Sequence, residues 1–87
     1  MRIVLGDDHG IVRRGLKALL ETEDDIEVVG EAGDGIEALR MCETHRPDVA
    51  ILDIAMPRLN GIDVAERAIK HHPQLKVVFL SMYADES

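Results

Sequence analysis

The sequence predicts a single α/β domain built around a doubly wound parallel sheet. Four short runs of β-branched and other apolar residues alternate along the chain with three longer stretches that have the apolar spacing of helices. Strands that are separated by helices run parallel and are joined by right-handed crossovers. With 87 residues, the chain has room for one domain only.

The first strand and the first helix occupy the first quarter of the chain. Residues 2–5 are mostly β-branched or leucine, and Gly6 ends that run. Between residues 10 and 21, apolar side chains recur at i, i+4, i+7 and i+8, which places them on one helix face. These residues are Val12, Leu16, Leu19 and Leu20. The neighbouring Arg13 and Arg14 are expected on the solvent side of this helix.

The second strand and the second helix follow a short acidic turn. Residues 26–32 form the strand, and the partial alternation of its two glutamates with apolar neighbours predicts an edge position. Asp34 followed by Glu37 is the capping-box pattern of a helix start. This helix ends before Pro47, because proline cannot continue the hydrogen-bond ladder.

The remaining elements are a third strand, a third helix and a fourth strand. Residues 49–52 are wholly apolar, which is typical of a central strand covered on both faces. Asn60 is placed to cap the following helix, and the sequence His-His-Pro at residues 71–73 ends it. Residues 76–80 form the fourth strand.

Composition excludes several classes of function. Ten basic residues against seventeen acidic ones give a net charge of -7, which argues against direct binding of nucleic acid or an anionic membrane. The chain has one tyrosine, one phenylalanine and no tryptophan, so it offers no platform for stacking bases. Its single cysteine, Cys42, excludes an internal disulfide and is expected to be a small buried hydrophobe. A reducing, cytoplasmic location fits this cysteine usage.

Acidic residues stand at the carboxyl ends of two strands that are expected to be neighbours. Asp7 and Asp8 follow the first strand, Asp53 follows the third and Ser81 follows the fourth. In the strand order 2-1-3-4 the ends of strands one and three meet at the switch point, where such sheets bind ligands. Two like charges ~4 Å apart repel by about 4 kcal/mol at an effective dielectric near 20, so the group needs a raised pKa or a cation. Oxygen ligands suit Mg²⁺, although any one of these acids alone is more often a loop or helix cap.

Three segments resemble the receiver domain of two-component response regulators. They are Asp-Asp-His at residues 7–9, Leu-Asp-Ile-Ala-Met-Pro at residues 52–57 with Asn-Gly at 60–61, and Leu-Ser-Met at residues 80–82. Together with Val-Gly-Glu-Ala at residues 29–32, they are most similar to the NarL/FixJ (LuxR-type) subfamily. The resemblance implies a flavodoxin-like (CheY-like) doubly wound sheet with strand order 2-1-3-4.

The resemblance also implies a role for each site residue. Asp53 matches the phosphoacceptor, which receives its phosphoryl group from a phosphohistidine of a sensor histidine kinase. Asp7 and Asp8 match the acids that bind Mg²⁺ or Mn²⁺ with Asp53, and Ala55 matches the position whose backbone carbonyl completes the metal site. Ser81 matches the hydroxyl that moves toward the phosphoryl group on activation. Such a module assists its own phosphorylation and dephosphorylation and is not an enzyme in the usual sense.

The 87 residues are shorter than the family fold, which has five β/α units. We therefore expect residues 1–87 to be the N-terminal, four-strand portion of a receiver, truncated after the fourth strand and without its fifth β/α unit or an output domain. The lysine and the aromatic residue of the fifth strand then lie outside this chain, and DNA is reached only through the absent output domain. The apolar strand at residues 76–80 is expected to be an exposed edge through which a homodimer could form.

Two other functions compete with the phosphoacceptor. One is an atypical receiver that acts as a protein-interaction or dimerisation module without phosphorylation. The other is a phosphatase of the haloacid-dehalogenase-like class, which needs a second aspartate two residues after the nucleophile. Ala55 occupies that position, so the general acid is absent. For His9, beside the acid pair, an exposed loop position and a role at the pocket rim or in kinase contact both remain open.

Overall fold

Four parallel strands and three helices make up the fold. The computed structural model of the protein describes residues 1–80. The elements are β1 (Arg2–Gly6), α1 (Gly10–Leu20), β2 (Glu27–Ala32), α2 (Gly35–His45), β3 (Val49–Asp53), α3 (Gly61–His71) and β4 (Lys76–Leu80). The strand order is β2-β1-β3-β4, and every neighbouring pair is parallel. The predicted fold class and strand order are confirmed.

Side-chain caps start α2 and α3, as the sequence predicts. The Asp34 carboxylate accepts a hydrogen bond from the backbone N–H of Glu37 at 2.8 Å, and the Asn60 side chain accepts one from the N–H of Asp63 at 2.9 Å. The Glu37 carboxylate in turn accepts from the N–H of Gly33 at 3.0 Å. In a capping box the Glu37 carboxylate would accept from the N–H of Asp34. Here it accepts from the residue before, Gly33.

The main core lies between the sheet and the α2/α3 layer. Sheet residues pack there against small side chains of the two helices; the buried members include Val4, Ala50, Leu52, Ala38, Cys42, Val64, Ala65 and Ala68. Since side chains alternate along a strand, Ile3 and Leu5 point to the opposite face, and both are buried. Successive right-handed crossovers in opposite directions place α1 on that second face.

Helix α1 is less buried than its sequence pattern predicts. Val12, Leu16 and Leu20 are only partly buried, and no residue of α1 is fully buried. Leu19, which the spacing places on the same apolar face, has 67% of its surface exposed. The physical reason is the support beneath the helix: within residues 1–80, no second helix shares the α1 face, so only the side toward β1 and β2 is covered.

Strand β4 forms one edge of the described sheet and is apolar. Val78 and Phe79 are 49% and 42% exposed, although strand pairing with β3 holds both in place. An exposed apolar edge at this strand agrees with the sequence-based expectation. The homodimer that was expected to form through it stays a prediction.

Two glycines allow the loop between β3 and α3 to fold close against helix starts. A Cβ atom at Gly61 would lie 2.3 Å from the carbonyl oxygen of Asp53, and one at Gly35 would lie 1.7 Å from the carbonyl oxygen of Leu59. The N–H of Gly61 also donates to the carbonyl of Ile54 at 2.9 Å. This close approach fixes the backbone just after Asp53.

Replacing Gly61 by alanine is therefore expected to destabilise the fold. Gly61→Ala should lower the free energy of unfolding by about 1–3 kcal/mol, because the new methyl group forces backbone atoms apart. Gly15→Ala is the matched control: Gly15 is an exposed residue inside α1 with no atom within 4 Å of the added Cβ. Gly15→Ala should raise the stability by about 0.5–1 kcal/mol. If urea titrations show that both substitutions change the free energy of unfolding in the same direction, this prediction is wrong.

Cys42 is expected to be unreactive in the folded protein. Its side chain is buried, with 3% exposed, and burial followed by the nearby charge of Glu43 raises the pKa of its thiol to about 11. At about pH 8 only about one thiol in a thousand would be ionised, and the thiolate is the reactive form. A thiol reagent such as Ellman's reagent should therefore label Cys42 only after unfolding in urea. Rapid labelling of the native protein would show that α2 opens locally.

Candidate functional site

The predicted acids converge at the carboxyl end of the sheet. Gly6 of β1 lies in register with Leu52 of β3, so the residues that follow them, Asp7 and Asp53, come out side by side. Asp7, Asp8, His9 and Asp53 each offer one ligand atom, and these atoms all lie within 4.8 Å of one another. The three aspartates are called the acid cluster below. Their convergence is what the strand order predicts.

Two members of the acid cluster are buried and incompletely hydrogen-bonded. Asp7 and Asp53 are 1% and 2% exposed, and the Oδ2 atom of each is buried without a hydrogen-bond partner. Asp8 is more open, with one-third of its side chain exposed. Leaving a buried polar atom without a partner costs about 1–3 kcal/mol, and more for a charged group. These orphaned oxygens fit a hard divalent cation, which takes carboxylate ligands.

Backbone donors hold the other carboxylate oxygens in place. Asp7 Oδ1 accepts a hydrogen bond from the backbone N–H of His9 at 2.8 Å, and Asp53 Oδ1 accepts one from the N–H of Ala55 at 3.2 Å. The N–H of Asp7 donates to the carbonyl of Ala32 on β2 at 3.0 Å. Each buried aspartate is therefore oriented by one oxygen and keeps the other free.

His9 lies at the rim of the acid cluster. Its Nδ1 atom is 2.9 Å from Asp7 Oδ1, 3.2 Å from Asp8 Oδ1 and 3.7 Å from Asp53 Oδ2, while 54% of the side chain remains exposed. His9 occupies an exposed loop position just before α1 and also lies at the pocket rim, while a kinase contact stays a prediction. Its direct contact with all three acids was not predicted, although its place next to Asp8 in the sequence was a signal for it.

The environment shifts the pKa values of two members of the site upward. For Asp53, burial raises the pKa most, and repulsion from Asp7 and Asp8 adds to the effect, while the N–H of Ala55 and the charge of His9 oppose it. For His9, the hydrogen bond with Asp7 raises the pKa most, followed by the charge of Asp8. Asp7 and Asp8 thus disfavour the ionised form of Asp53 and favour the protonated form of His9.

Arg13 contacts the backbone of the site and is not on the solvent side of its helix. The sequence predicts Arg13 on the solvent side of α1, but its side chain is only 20% exposed and its Nη1 atom donates to the backbone carbonyl of Asp7 at 2.6 Å. Its Nε atom donates to Glu31 of β2 at 3.3 Å, and Lys17 lies 3.7 Å from the same carboxylate. Apolar spacing could not reveal this role, because a long arginine side chain covers the sheet with its stem and binds with its tip.

Two predicted site groups remain without a structural test. Ser81 lies outside the described residues. For Ala55, the structure places the backbone N–H against Asp53, and the predicted use of its carbonyl as a metal ligand stays a prediction.

Comparison with known proteins decides the family. A sequence profile described as the response regulator receiver domain matches residues 3–87. The chain belongs to this family. Among solved structures, the receiver domain of the putative response regulator NarL from Mycobacterium tuberculosis is 39% identical, with a TM-score of 0.86 over 97% of this chain and 68% of that one. A LuxR-family response regulator from Staphylococcus aureus is 26% identical, with a TM-score of 0.87 over 97% of this chain and 70% of that one.

Curated relatives of this receiver are transcriptional regulators of the NarL/LuxR type. The uncharacterized transcriptional regulatory protein YhcZ of Bacillus subtilis is 45% identical over 86 residues, which are 99% of this chain and 40% of YhcZ. The oxygen regulatory protein NreC of Staphylococcus carnosus is 41% identical over 87 residues, with coverage of 99% and 40%. The receiver thus spans about 40% of the length of these relatives. In residues 1–80, no helix is long and apolar enough to cross a membrane.

Neutralising Asp53 should stabilise the receiver in the absence of divalent cations. A pKa raised by folding means that stability is greatest below the unfolded-state pKa and is lost as the pH rises through the higher folded-state value. In the presence of a chelator, Asp53→Asn should therefore raise the free energy of unfolding at neutral pH by about 1–3 kcal/mol. The gain should shrink as the pH falls through the raised pKa, because protonated aspartic acid is also neutral.

Urea titrations at several pH values check this prediction. Asp24→Asn is the control, since Asp24 is an exposed residue in the turn before β2, and its effect should stay within about 0.5 kcal/mol. A destabilised Asp53→Asn variant at neutral pH would show that its carboxylate is better satisfied than the geometry indicates.

Proposed function

We propose that this receiver accepts a phosphoryl group on the carboxylate of Asp53 from a phosphohistidine of a sensor kinase. The proposal rests chiefly on one observation: Asp53 lies at the switch point of the sheet, beside Asp7 and Asp8, with a buried oxygen that has no partner. Membership of the receiver family supports it. The output controlled by phosphorylation is proposed to be transcription, through a DNA-binding part beyond these 87 residues, as the names of YhcZ and its fellow relatives indicate.

A divalent cation is part of the proposed site. Asp7, Asp8 and Asp53 would hold Mg²⁺ or Mn²⁺, and the carbonyl of Ala55 is the further ligand that the family resemblance implies. The ion, when bound, neutralises charge on the phosphoryl oxygens during transfer. The two orphaned carboxylate oxygens support this assignment, because they supply the negative donors that such an ion requires.

The residues of the chain orient the reaction. An oxygen of Asp53 forms a bond to phosphorus while the bond from phosphorus to the imidazole nitrogen of the kinase breaks. The electron pair leaves with the imidazole, which takes up a proton from water. The N–H of Ala55 holds the carboxylate of Asp53 at 3.2 Å, and so limits its rotation before attack. Ser81 is proposed to bind a phosphoryl oxygen afterward and so to report the modified state.

The reverse reaction restores the receiver. Water attacks phosphorus, the acyl phosphate bond breaks, and inorganic phosphate and the Asp53 carboxylate are released. On this proposal the receiver assists its own phosphorylation and dephosphorylation. This is a signalling role, and no separate substrate is turned over. The proposed location is the cytoplasm, where a free thiol such as Cys42 remains reduced.

An interaction module without phosphorylation is the second candidate. Val78 and Phe79 expose apolar surface on edge strand β4, and such an edge can pair with another strand. On this alternative, a homodimer formed through β4 would be the functional state, and the acid cluster would have no phosphoacceptor role.

Intact mass spectrometry tests the phosphoacceptor. After incubation with Mg²⁺ and acetyl phosphate, the chain should gain one phosphoryl group, with acetate as the leaving group. Asp53→Asn should gain none, and Asp24→Asn should behave like the unchanged chain, because Asp24 lies in a turn far from the acid cluster.

The outcomes separate the two candidates. If Asp53→Asn still gains the mass of one phosphoryl group, another residue is the nucleophile. No gain in the unchanged chain would contradict the proposal for these 87 residues, and sedimentation showing a dimer that Val78→Lys disrupts would then favour the interaction module.

A further inference from the structure

A connection of three residues, 7–9, carries two members of the acid cluster and leads from β1 directly into α1. Strand pairing and helix capping do not fix its geometry. β1 ends at Gly6, so Asp7 lies beyond the strand, and the side chain of His9, the N-cap residue of α1, makes no capping hydrogen bond. Within residues 1–80, no backbone N–H donates to the carbonyl of Asp7. A side chain supplies that contact instead.

Arg13, at the end of the first turn of α1, binds this connection twice. Its backbone N–H donates to the carbonyl of His9 at 2.9 Å, and its Nη1 atom donates to the carbonyl of Asp7 at 2.6 Å. The second contact falls on the peptide group that joins Asp7 to Asp8. Because a peptide group is planar and rotates as a unit, its rotation would change the direction of the Asp8 side chain relative to Asp7. The guanidinium therefore holds two acids of the cluster in their relative orientation.

Glu31 of β2 orients the guanidinium in turn. The Nε atom of Arg13 donates to Glu31 Oε1 at 3.3 Å, and Lys17 Nζ lies 3.7 Å from the other oxygen of the same carboxylate. A guanidinium is planar and rigid, so the bond that fixes Nε also fixes the direction in which Nη1 points. The side chains of Arg13 and Glu31 are only 20% and 30% exposed, so water competes for these bonds only in part.

Neutralisation of the acid cluster does not account for the position of Arg13. Its ion pair is with Glu31, and its Nη1 atom binds a backbone carbonyl; within residues 1–80, no nitrogen of Arg13 lies within 4.0 Å of a carboxylate oxygen of the cluster. A positive charge beside a cation site repels the bound ion, so the charge of Arg13 by itself opposes cation binding. A role in geometry and a role through charge thus predict opposite effects on cation affinity.

We propose that Arg13 is a positioning residue, oriented by Glu31, which strengthens cation binding by fixing the peptide group between Asp7 and Asp8. This inference rests on the metal site of the proposed function and leaves its cation and ligands unchanged. Removing a group that orients metal ligands typically lowers metal affinity by about 10–100-fold. We expect an effect near the lower end of that range, because Arg13 acts on the backbone of the ligands and not on their carboxylates.

Titration of the chain with Mn²⁺ tests the proposal, with the electron paramagnetic resonance signal of free Mn²⁺ giving the dissociation constant. Arg13→Gln should raise the dissociation constant about tenfold, although it removes a positive charge. Arg13→Lys keeps the charge but not the planar fork, and it should also weaken binding. Arg14→Gln is the matched control, because it removes the same charge from an exposed neighbouring position and should not weaken binding. Asp8→Asn removes a ligand and should weaken binding at least as much as Arg13→Gln.

Two further measurements separate positioning from general stabilisation of the fold. Circular dichroism confirms that each variant is folded before it is titrated. In the Arg13→Gln background, Glu31→Gln should have no further effect on the dissociation constant, because Glu31 acts through the guanidinium. In proton–nitrogen spectra of the cation-free protein, the amide nitrogen of Asp8 shares a peptide group with the Asp7 carbonyl. Its resonance should shift in both Arg13 variants and stay in place in Arg14→Gln.

The outcomes distinguish this inference from the proposed function on which it rests. If Asp8→Asn weakens Mn²⁺ binding but the folded Arg13 variants keep the affinity of the unchanged chain, Arg13 only stabilises the fold; the inference fails and the carboxylate metal site stands. If Arg13→Gln binds Mn²⁺ more tightly, Arg13 acts through its charge and the inference also fails. If Arg13→Gln does not fold, Arg13→Lys decides by the same criteria. If the unchanged chain binds Mn²⁺ no more tightly than Asp8→Asn does, both the inference and the metal part of the proposed function are overturned.

Discussion

Mutual repulsion among three carboxylates is the interaction on which the rest of this receiver depends. Asp7, Asp8 and Asp53 approach within a few ångströms at the end of the sheet, and two of them are almost completely buried. Within residues 1–80, no lysine or arginine side chain lies within 4.0 Å of these carboxylates, and only His9 places a group there that is cationic when protonated. Hydrogen bonds from backbone N–H groups offset part of the cost of burying these carboxylates, but the Oδ2 atoms of Asp7 and Asp53 remain without partners.

The scaffold prevents this repulsion from relaxing. Asp7 is fixed at its backbone on both sides, by its own N–H to Ala32 and by the guanidinium of Arg13 on its carbonyl. Asp53 is held by the close approach of Gly61 to its carbonyl oxygen. Because both backbones are anchored to the sheet, the acids cannot separate without breaking strand contacts. Beyond the backbone donors and His9, a proton or a bound cation would relieve the repulsion that remains.

Much of this arrangement could be predicted from the sequence, because it depends on local signals and on strand topology. The caps at Asp34 and Asn60 and the apolar run of β3 specify their elements directly, and right-handed crossovers leave few strand orders to consider. Once β1 and β3 are neighbours, the convergence of Asp7 and Asp53 follows. The exposure of Leu19 did not follow, because apolar spacing reports which side of a helix is apolar and not how much protein covers it.

The unpredicted contacts of Arg13 and His9 have a different origin. Both depend on side-chain reach and direction, which helical periodicity does not encode. Arg13 stretches from α1 to the carbonyl of Asp7, and His9 turns back over the acids from the helix N-cap. Basic groups near a cluster of negative charges are attracted toward it, so basic residues flanking an acidic pair are candidates for part of its site.

The same electrostatics links the cation to the proposed phosphorylation. Phosphorylation would convert the singly charged carboxylate of Asp53 to an acyl phosphate, whose phosphoryl group carries a charge of about −1.5 to −2 at neutral pH, so the negative charge of the site would increase. The modified site then repels Asp7 and Asp8 more strongly than before, and a cation relieves more repulsion than it does in the unmodified receiver. Coupling between two binding events is reciprocal, so a cation that binds more tightly after modification also favours modification at equilibrium. A rigid sheet end that concentrates negative charge would thus make cation binding and the proposed phosphorylation depend on each other.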